Sequence, residues 1–315
     1  MLWALPVACR RAPRDPFLTY FNGEYRVSLR HPASWRSEQA VQERVWYRYF
    51  FGPPEGTQRG PAVTATLLVG PLGVSLEEYA QVYLAGNTLV SSKDESRQGT
   101  HGKSYLYSSA GGQKRHWLLL LGESGAVYGL YAQGDALAFE RRQAVLQQML
   151  DSLTLERPDS YPVLRDERFG FAIGVPGSWQ STRRLSAGDR LVVHLLSPPL
   201  RADRDGQTVH ASLTLSVEPL ENQDLDDFYA SDRRRLGGAY QVLDHARWQG
   251  GYADVVHTET PIAVSRLKRF YRVSGDRGYG LWFEAREDVF HDVATWFDLI
   301  ASTLRVGPEL VPPPA

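Results

Sequence analysis

Residues 169–179 read FGFAIGVPGSW, and residues 25–35 read YRVSLRHPASW. Laid together without a gap, Tyr25 meets Phe169, Val27 meets Phe171, Leu29 meets Ile173, Pro32 meets Pro176, Ser34 meets Ser178 and Trp35 meets Trp179. Apolar residues alternate up to the proline, which is the period of a strand with one buried face. Proline then stops the ladder, having no N–H to donate. The chain begins again near its middle.

The match extends outward in the same order. Val63–Leu72 aligns with Ala211–Leu220, each an alternating strand closed by proline. Leu76-Glu77-Glu78-Tyr79 aligns with Leu225-Asp226-Asp227-Phe228, the acidic opening of a helix, with Ser75 and Asp224 as the expected caps. Tyr128-Gly129-Leu130-Tyr131 aligns with Tyr279-Gly280-Leu281-Trp282, and Phe139 with Phe290. Phe290, Val293, Phe297, Ile300 and Leu304 then recur at three and four residues, as Leu146, Met149, Leu150 and Leu153 do in the first copy.

Within the first copy the pattern predicts strands at about 25–30, 44–51 and 62–69 and a helix at about 75–85. Strands near 103–109, 114–121 and 126–132 and a closing helix at 136–152 follow. Runs of strands with segregated helices define an α+β class with a mainly antiparallel sheet. The expected limits are a leader at 1–19, a first domain at 20–157, a linker at 158–162, a second domain at 163–306 and a flexible tail at 307–315.

The order of parts resembles the PsbP-like family. The resemblance rests on the aromatic strand ending in Pro-x-Ser-Trp, the Leu-acidic-acidic-aromatic helix, the glycine before the next strand (Gly102, Gly251) and the closing amphipathic helix. It implies two tandem α/β/α sandwich domains, each an antiparallel sheet flanked by helices. Members include the photosystem protein PsbP, the envelope lipoprotein DcrB and the Ran-binding Mog protein, and the resemblance implies a binding module more than a catalyst. The shared motif residues Tyr25, Pro32, Trp35, Phe169, Pro176 and Trp179 are expected to build the fold, with the two indoles covering one end of each core.

Composition narrows the function classes. Thirty-five basic against 36 acidic side chains give a formal charge of −1, which supplies no global field for nucleic acid. The run Arg233–Arg235 follows Asp224, Asp226 and Asp227, as on a solvated helix face. Cys9 is the single cysteine, so no intramolecular disulfide or cysteine-rich zinc site can form. It closes the apolar run LWALPVAC ahead of the basic RRAPRDP, like the end of a bacterial lipoprotein signal whose cysteine is acylated. The run lacks a basic start and is short for a signal, and a start codon upstream of Met1 would supply the rest. The alternative is a plain frayed leader.

No catalytic constellation is complete. Gly99-Thr100-His101-Gly102-Lys103-Ser104 has Arg97 where a phosphate loop needs its first glycine, and it enters an expected strand instead of a helix. Asp203-Arg204-Asp205-Gly206 lacks the first and closing ligands of a calcium loop. The eight histidines have no paired spacing for a metal, though Asp244 with His245 and His257 with Glu259 are candidate pairs. Gly122-Glu123-Ser124-Gly125 reads as a hairpin turn. The expectation is a non-enzymatic envelope lipoprotein without cofactor or metal, lipid-anchored at Cys9, binding a protein or small ligand between the domains or on an open sheet. The alternative is a soluble cytoplasmic chaperone or adaptor that shelters apolar segments of a partner.

Overall fold

The computed structural model describes residues 15–42, 44–56, 59–202, 206–237, 240–259 and 264–307. Cys9 and Asp203–Asp205 lie outside the described residues. The first half runs β1 (Phe17–Asn22), β2 (Val27–Pro32), β3 (Arg36–Gln42), β4 (Val45–Phe51), β5 (Val63–Pro71), α1 (Leu76–Leu84), β6 (Asn87–Arg97), β7 (Thr100–Ser109), β8 (Lys114–Glu123), β9 (Ala126–Asp135), α2 (Ala136–Ser152) and β10 (Thr154–Leu155). A short 3-10 turn at Pro158–Ser160 leads to the second half. There β11 (Val163–Asp166), β12 (Phe171–Gly174), β13 (Gln180–Ala187), β14 (Arg190–Leu196), β15 (Arg201–Ala202), β16 (Thr208–Val209) and β17 (Ser212–Pro219) precede α3 (Leu225–Leu236). The chain closes with β18 (Tyr240–Trp248), β19 (Gly251–Glu259), β20 (Val264–Ser274), β21 (Arg277–Arg286), α4 (Glu287–Ser302) and β22 (Arg305–Val306).

Two seven-stranded sheets dominate, in the orders β3-β4-β5-β9-β8-β7-β6 and β13-β14-β17-β21-β20-β19-β18. Each half adds a three-stranded sheet, β1-β2-β10 and β11-β12-β22. Every strand pair is antiparallel. The repeat is kept to the residue: Leu67 faces Leu130 and Val69 faces Tyr128 in one sheet, as Leu215 faces Leu281 and Val217 faces Tyr279 in the other.

Alternation decides which helix each strand residue meets. Leu67, Leu119, Leu121 and Leu130 pack with Phe139, Leu146 and Met149 of α2, whereas Leu68, Leu118 and Leu120 pack with Ala80 of α1. In the second half, Leu213, Leu215 and Leu281 join Phe290, Val293 and Phe297 of α4, and Tyr252 and Tyr271 join Phe228 of α3. Ser75 caps α1 with a full capping box to Glu78, and Asp224 caps α3 by accepting from Asp227 N at 2.9 Å.

The edge strands β3, β6, β13 and β18 are absent from the sequence expectation. Their side chains are mostly exposed, so no burial alternation marks them. β1 begins at Phe17, so residues 17–19, assigned from sequence to the leader, belong to a strand paired with β2. Gln98-Gly99 and Ser124-Gly125 both have positive φ, the conformation of tight hairpin turns that match strand twist. Thus Gly99–Ser104 turns into β7, where Lys103 bonds Glu77 at 3.0 Å. No described helix is long and apolar enough to cross a membrane.

Candidate functional site

The β1–β2 hairpin of the first half lies against α4 of the second. Phe21 enters the second half's core and stacks on Trp296 at 4.9 Å between ring centroids. Thr19 N donates to Pro199 O at 2.6 Å. A Cβ on Gly23 would come within 2.3 Å of Thr295 Cβ, so only glycine allows this approach. Beneath the contact, buried Glu156 accepts from Ser28 Oγ at 2.5 Å and from Tyr161 Oη at 2.9 Å. Burial raises the Glu156 carboxyl above the usual carboxylate range, against the opposing pull of Ser28, Tyr161 and Trp296.

Beside this contact opens a cleft of about 560 Å³, with walls from both halves that include Tyr20, His31, Arg48, Arg201, His291 and Asp292. Arg48 arises from the alternation of β4. It shares a face with Trp46 and Phe50, both buried, and it faces Leu67 across the sheet. The matching residue of the second half is Val193, 1% exposed and opposite Leu215. A guanidinium thus stands where the repeat demands an apolar side chain. Its Nη2 donates to Ser37 Oγ at 2.8 Å, and its carbon sits 4.7 Å from the Tyr20 ring centroid. Arg48 Nε is buried and has no hydrogen-bond partner among the described residues. Burial pushes His31, whose ring lies tilted against Phe50 at 4.8 Å, down to about 4, so its ring is neutral at physiological pH. Arg201 is paired with Asp288 at 2.9 Å.

A second polar cluster lies wholly inside the second half. Arg269, 1% exposed, donates to Asp254 at 2.8 and 2.5 Å and to Asp232 at 3.3 Å. Tyr271 Oη donates to Asp232 at 2.6 Å and Tyr229 Oη to Asp254 at 3.2 Å. Burial opposes the Arg269 cation, but the bonds to Asp254 together with the fields of Tyr271, Asp254 and Asp232 outweigh it and its pKa rises. Burial also raises Asp232.

The sequence-derived residues do not gather at one point. Trp35 and Trp179 are 3% and 6% exposed in separate cores, each held by the same turn, with Trp35 N on Pro32 O at 3.1 Å and Trp179 N on Pro176 O at 2.9 Å. Pro32 and Pro176 are buried. Neither indole N–H has a hydrogen-bond partner among the described residues. Tyr25 packs on Trp46 at 5.3 Å, and Phe169 is buried beneath Tyr279, whose Oη donates to Phe169 O at 3.0 Å. His257 approaches Glu287 at 3.7 Å, in place of the expected Glu259. Among the described residues no three His, Cys, Asp or Glu side chains converge to hold a metal ion. Arg48 and Arg269 were missed, although each is a charge on the apolar parity of its strand.

The architecture is that of a duplicated antiparallel α+β unit. No protein-family model matches the chain, and no curated protein matches it in sequence. Among solved structures, cyanobacterial PsbP (CyanoP) from Synechocystis sp. PCC 6803 is 9% identical, with TM-score 0.36 over 47% of this chain and 97% of its own. The Ran-binding protein Mog1p of Saccharomyces cerevisiae is 14% identical, with TM-score 0.35 over 48% of this chain and 97% of its own. The T6SS immunity protein TplEi of Pseudomonas aeruginosa is 12% identical, with TM-score 0.25 over 93% of this chain and 97% of its own. The first two each lie over about half of this chain.

Proposed function

We propose that the protein is a non-enzymatic binding module: two α/β/α sandwiches, near 20–157 and 163–306 about the 158–162 linker, that engage a protein partner at the cleft between them. The observation that carries this reading is Arg48. A cation on an inner sheet face, with a buried Nε lacking a partner, is costly in the free protein and gains from a partner acceptor. The adjoining Tyr20 adds a ring of the kind that dominates protein interfaces. The Phe21–Trp296 stack holds the two walls together, so little ordering opposes binding. In this reading Cys9 tethers the chain to a bacterial envelope membrane.

A photo-crosslinking residue in place of exposed Gln39, at the cleft wall, tests this in native cells. A discrete protein adduct that is lost in Arg48→Ala is expected; an adduct unchanged by Arg48→Ala, or none at all, sinks the reading. Mass spectrometry of the N-terminal fragment from those cells should show acylated Cys9. An unmodified Cys9 in the cytosol removes the anchor.

A further inference from the structure

The closing helices of the two halves meet their sheets differently. In the second half, Arg266 of β20 is held by Glu287 of α4 through contacts of 2.7 and 2.5 Å. Two residues on, Lys268 is held by Asp298 at 2.6 Å. These pairs tie sheet to helix and close the space between them.

The first half has the same backbone with different chemistry. Arg115 faces Gly134 across the sheet as Arg266 faces Ala285, and Trp117 faces Ala132 as Lys268 faces Phe283. At the spacing that relates Phe139 to Phe290, Glu287 corresponds to Ala136 and Asp298 to Gln147. Both latching carboxylates are therefore missing. A groove of about 410 Å³ lies open here between α2 and strands β6–β8, within the size range of small-molecule sites. Trp117, Leu106, Val90 and Phe139 give it an apolar wall. Half-buried Arg115 has no hydrogen bond or ion pair among the described residues.

The other charges at the groove do not replace the missing carboxylates. Lys93, 77% exposed, pairs with Glu95 at 3.5 Å. Glu140 is exposed on α2, where water screens it, and lies beyond ion-pair distance of Arg115. The half-buried cation is the group with most to gain from a partner, and its twin shows that the partner is a carboxylate.

We propose that this groove binds a small amphipathic carboxylate, an acid whose flat or acyl body lies on Trp117 and whose carboxylate takes on Arg115 the place that Glu287 takes on Arg266. The site is separate from the cleft at Arg48, and its occupancy does not depend on the protein partner. An indole ring offers a broad apolar face, and a guanidinium matches a carboxylate in a two-bond fork.

Calorimetric titration of the full chain with indole-3-acetate and with decanoate tests this, with tryptophol and decanol as uncharged counterparts. At least one acid should bind, and its alcohol should bind at least about tenfold more weakly, the scale of a charge-assisted hydrogen bond. Arg115→Gln should weaken the acid by a similar factor. Ala136→Glu, which supplies the carboxylate of the second half, should abolish binding while leaving the melting temperature unchanged or raised, showing that the variant is folded. Failure of both acids to bind, equal binding by acid and alcohol, or wild-type affinity in Ala136→Glu would each overturn the proposal.

Discussion

The α1 side of the first sheet and the α3 side of the second are built from different chemistry. In β7 and β8, Tyr105 faces Leu118; at the same register in β19 and β20, Asp254 faces Arg269. Tyr83 of α1 corresponds to Asp232 of α3, and Leu120 to Tyr271. One half fills this layer with apolar and tyrosine side chains, the other with a buried ion network. The backbone register is identical, so the strand framework does not dictate the chemistry of the layer it supports. Taking three charges out of water gives back little net stability, but once they are buried the partners cannot be removed singly.

The largest predicted effect tests that asymmetry. Arg269→Leu should destabilise by about 3–5 kcal/mol, because Asp254 and Asp232 are left buried without their cation. Adding Asp254→Tyr and Asp232→Tyr, the residues of the first half, should restore wild-type stability or better in denaturant unfolding. A triple variant as unstable as the single one would mean that the two layers are not interchangeable.

The paired tryptophans sharpen the comparison at the next scale. Trp35→Ala and Trp179→Ala should each cost about 3–5 kcal/mol in thermal unfolding, since both rings are buried. Trp179 should lie at the upper end, because it also packs edge-on against Trp296 at 5.5 Å and so supports the junction. Equal losses would show that the junction draws nothing from it.

Two groups at the junction respond to pH in opposite senses. Glu156 has a raised carboxyl in the folded state, so the folded form holds its proton longer and stability falls as pH rises above about 4.5 through the folded value. Burial lowers His31, so the unfolded form binds the proton first and stability rises with pH between about 4 and 6.5. Glu156→Gln keeps one oxygen to accept from Ser28 or Tyr161, turns its NH2 to the other hydroxyl as a donor, and cannot ionise. Melting temperatures of this variant should gain on the wild type as pH rises from 4.5 to 7.5; parallel curves would discard the assignment.

The smallest effect concerns the helix caps. Ser75→Ala and Asp224→Ala should each cost about 1 kcal/mol by chemical denaturation, the usual value of one cap. Ser75 N also donates to Glu78 Oε2 at 2.9 Å, and a larger loss there than at Asp224 would separate the capping box from a single cap.

What could be read in the sequence follows burial. Central strands such as β5 and β17 alternate because one or both faces are covered, and Pro71 and Pro219 mark their ends. β13 has every residue exposed and β6 nearly so, and hydropathy cannot reveal strands that bury nothing. The cleft was not legible because it forms between segments far apart in the chain, such as Arg48 and Asp292. Yet a signal was present: Arg48 between Trp46 and Phe50, and Arg269 in step with Leu267 and Tyr271, are charges on the buried parity. The comparison of copies isolates them, since Val193 and Leu118 stand at the matching places.

The stacking of Phe21 on Trp296 also has a consequence for biosynthesis. A ring near the start of the chain belongs to a core whose other members are made last. About 275 residues separate the two positions, so at 5–20 residues per second the hairpin waits roughly 15–55 seconds on the ribosome before its partner exists. For that interval Phe21 lacks the rings that bury it in the finished protein, an aromatic left uncovered until the last helix is made.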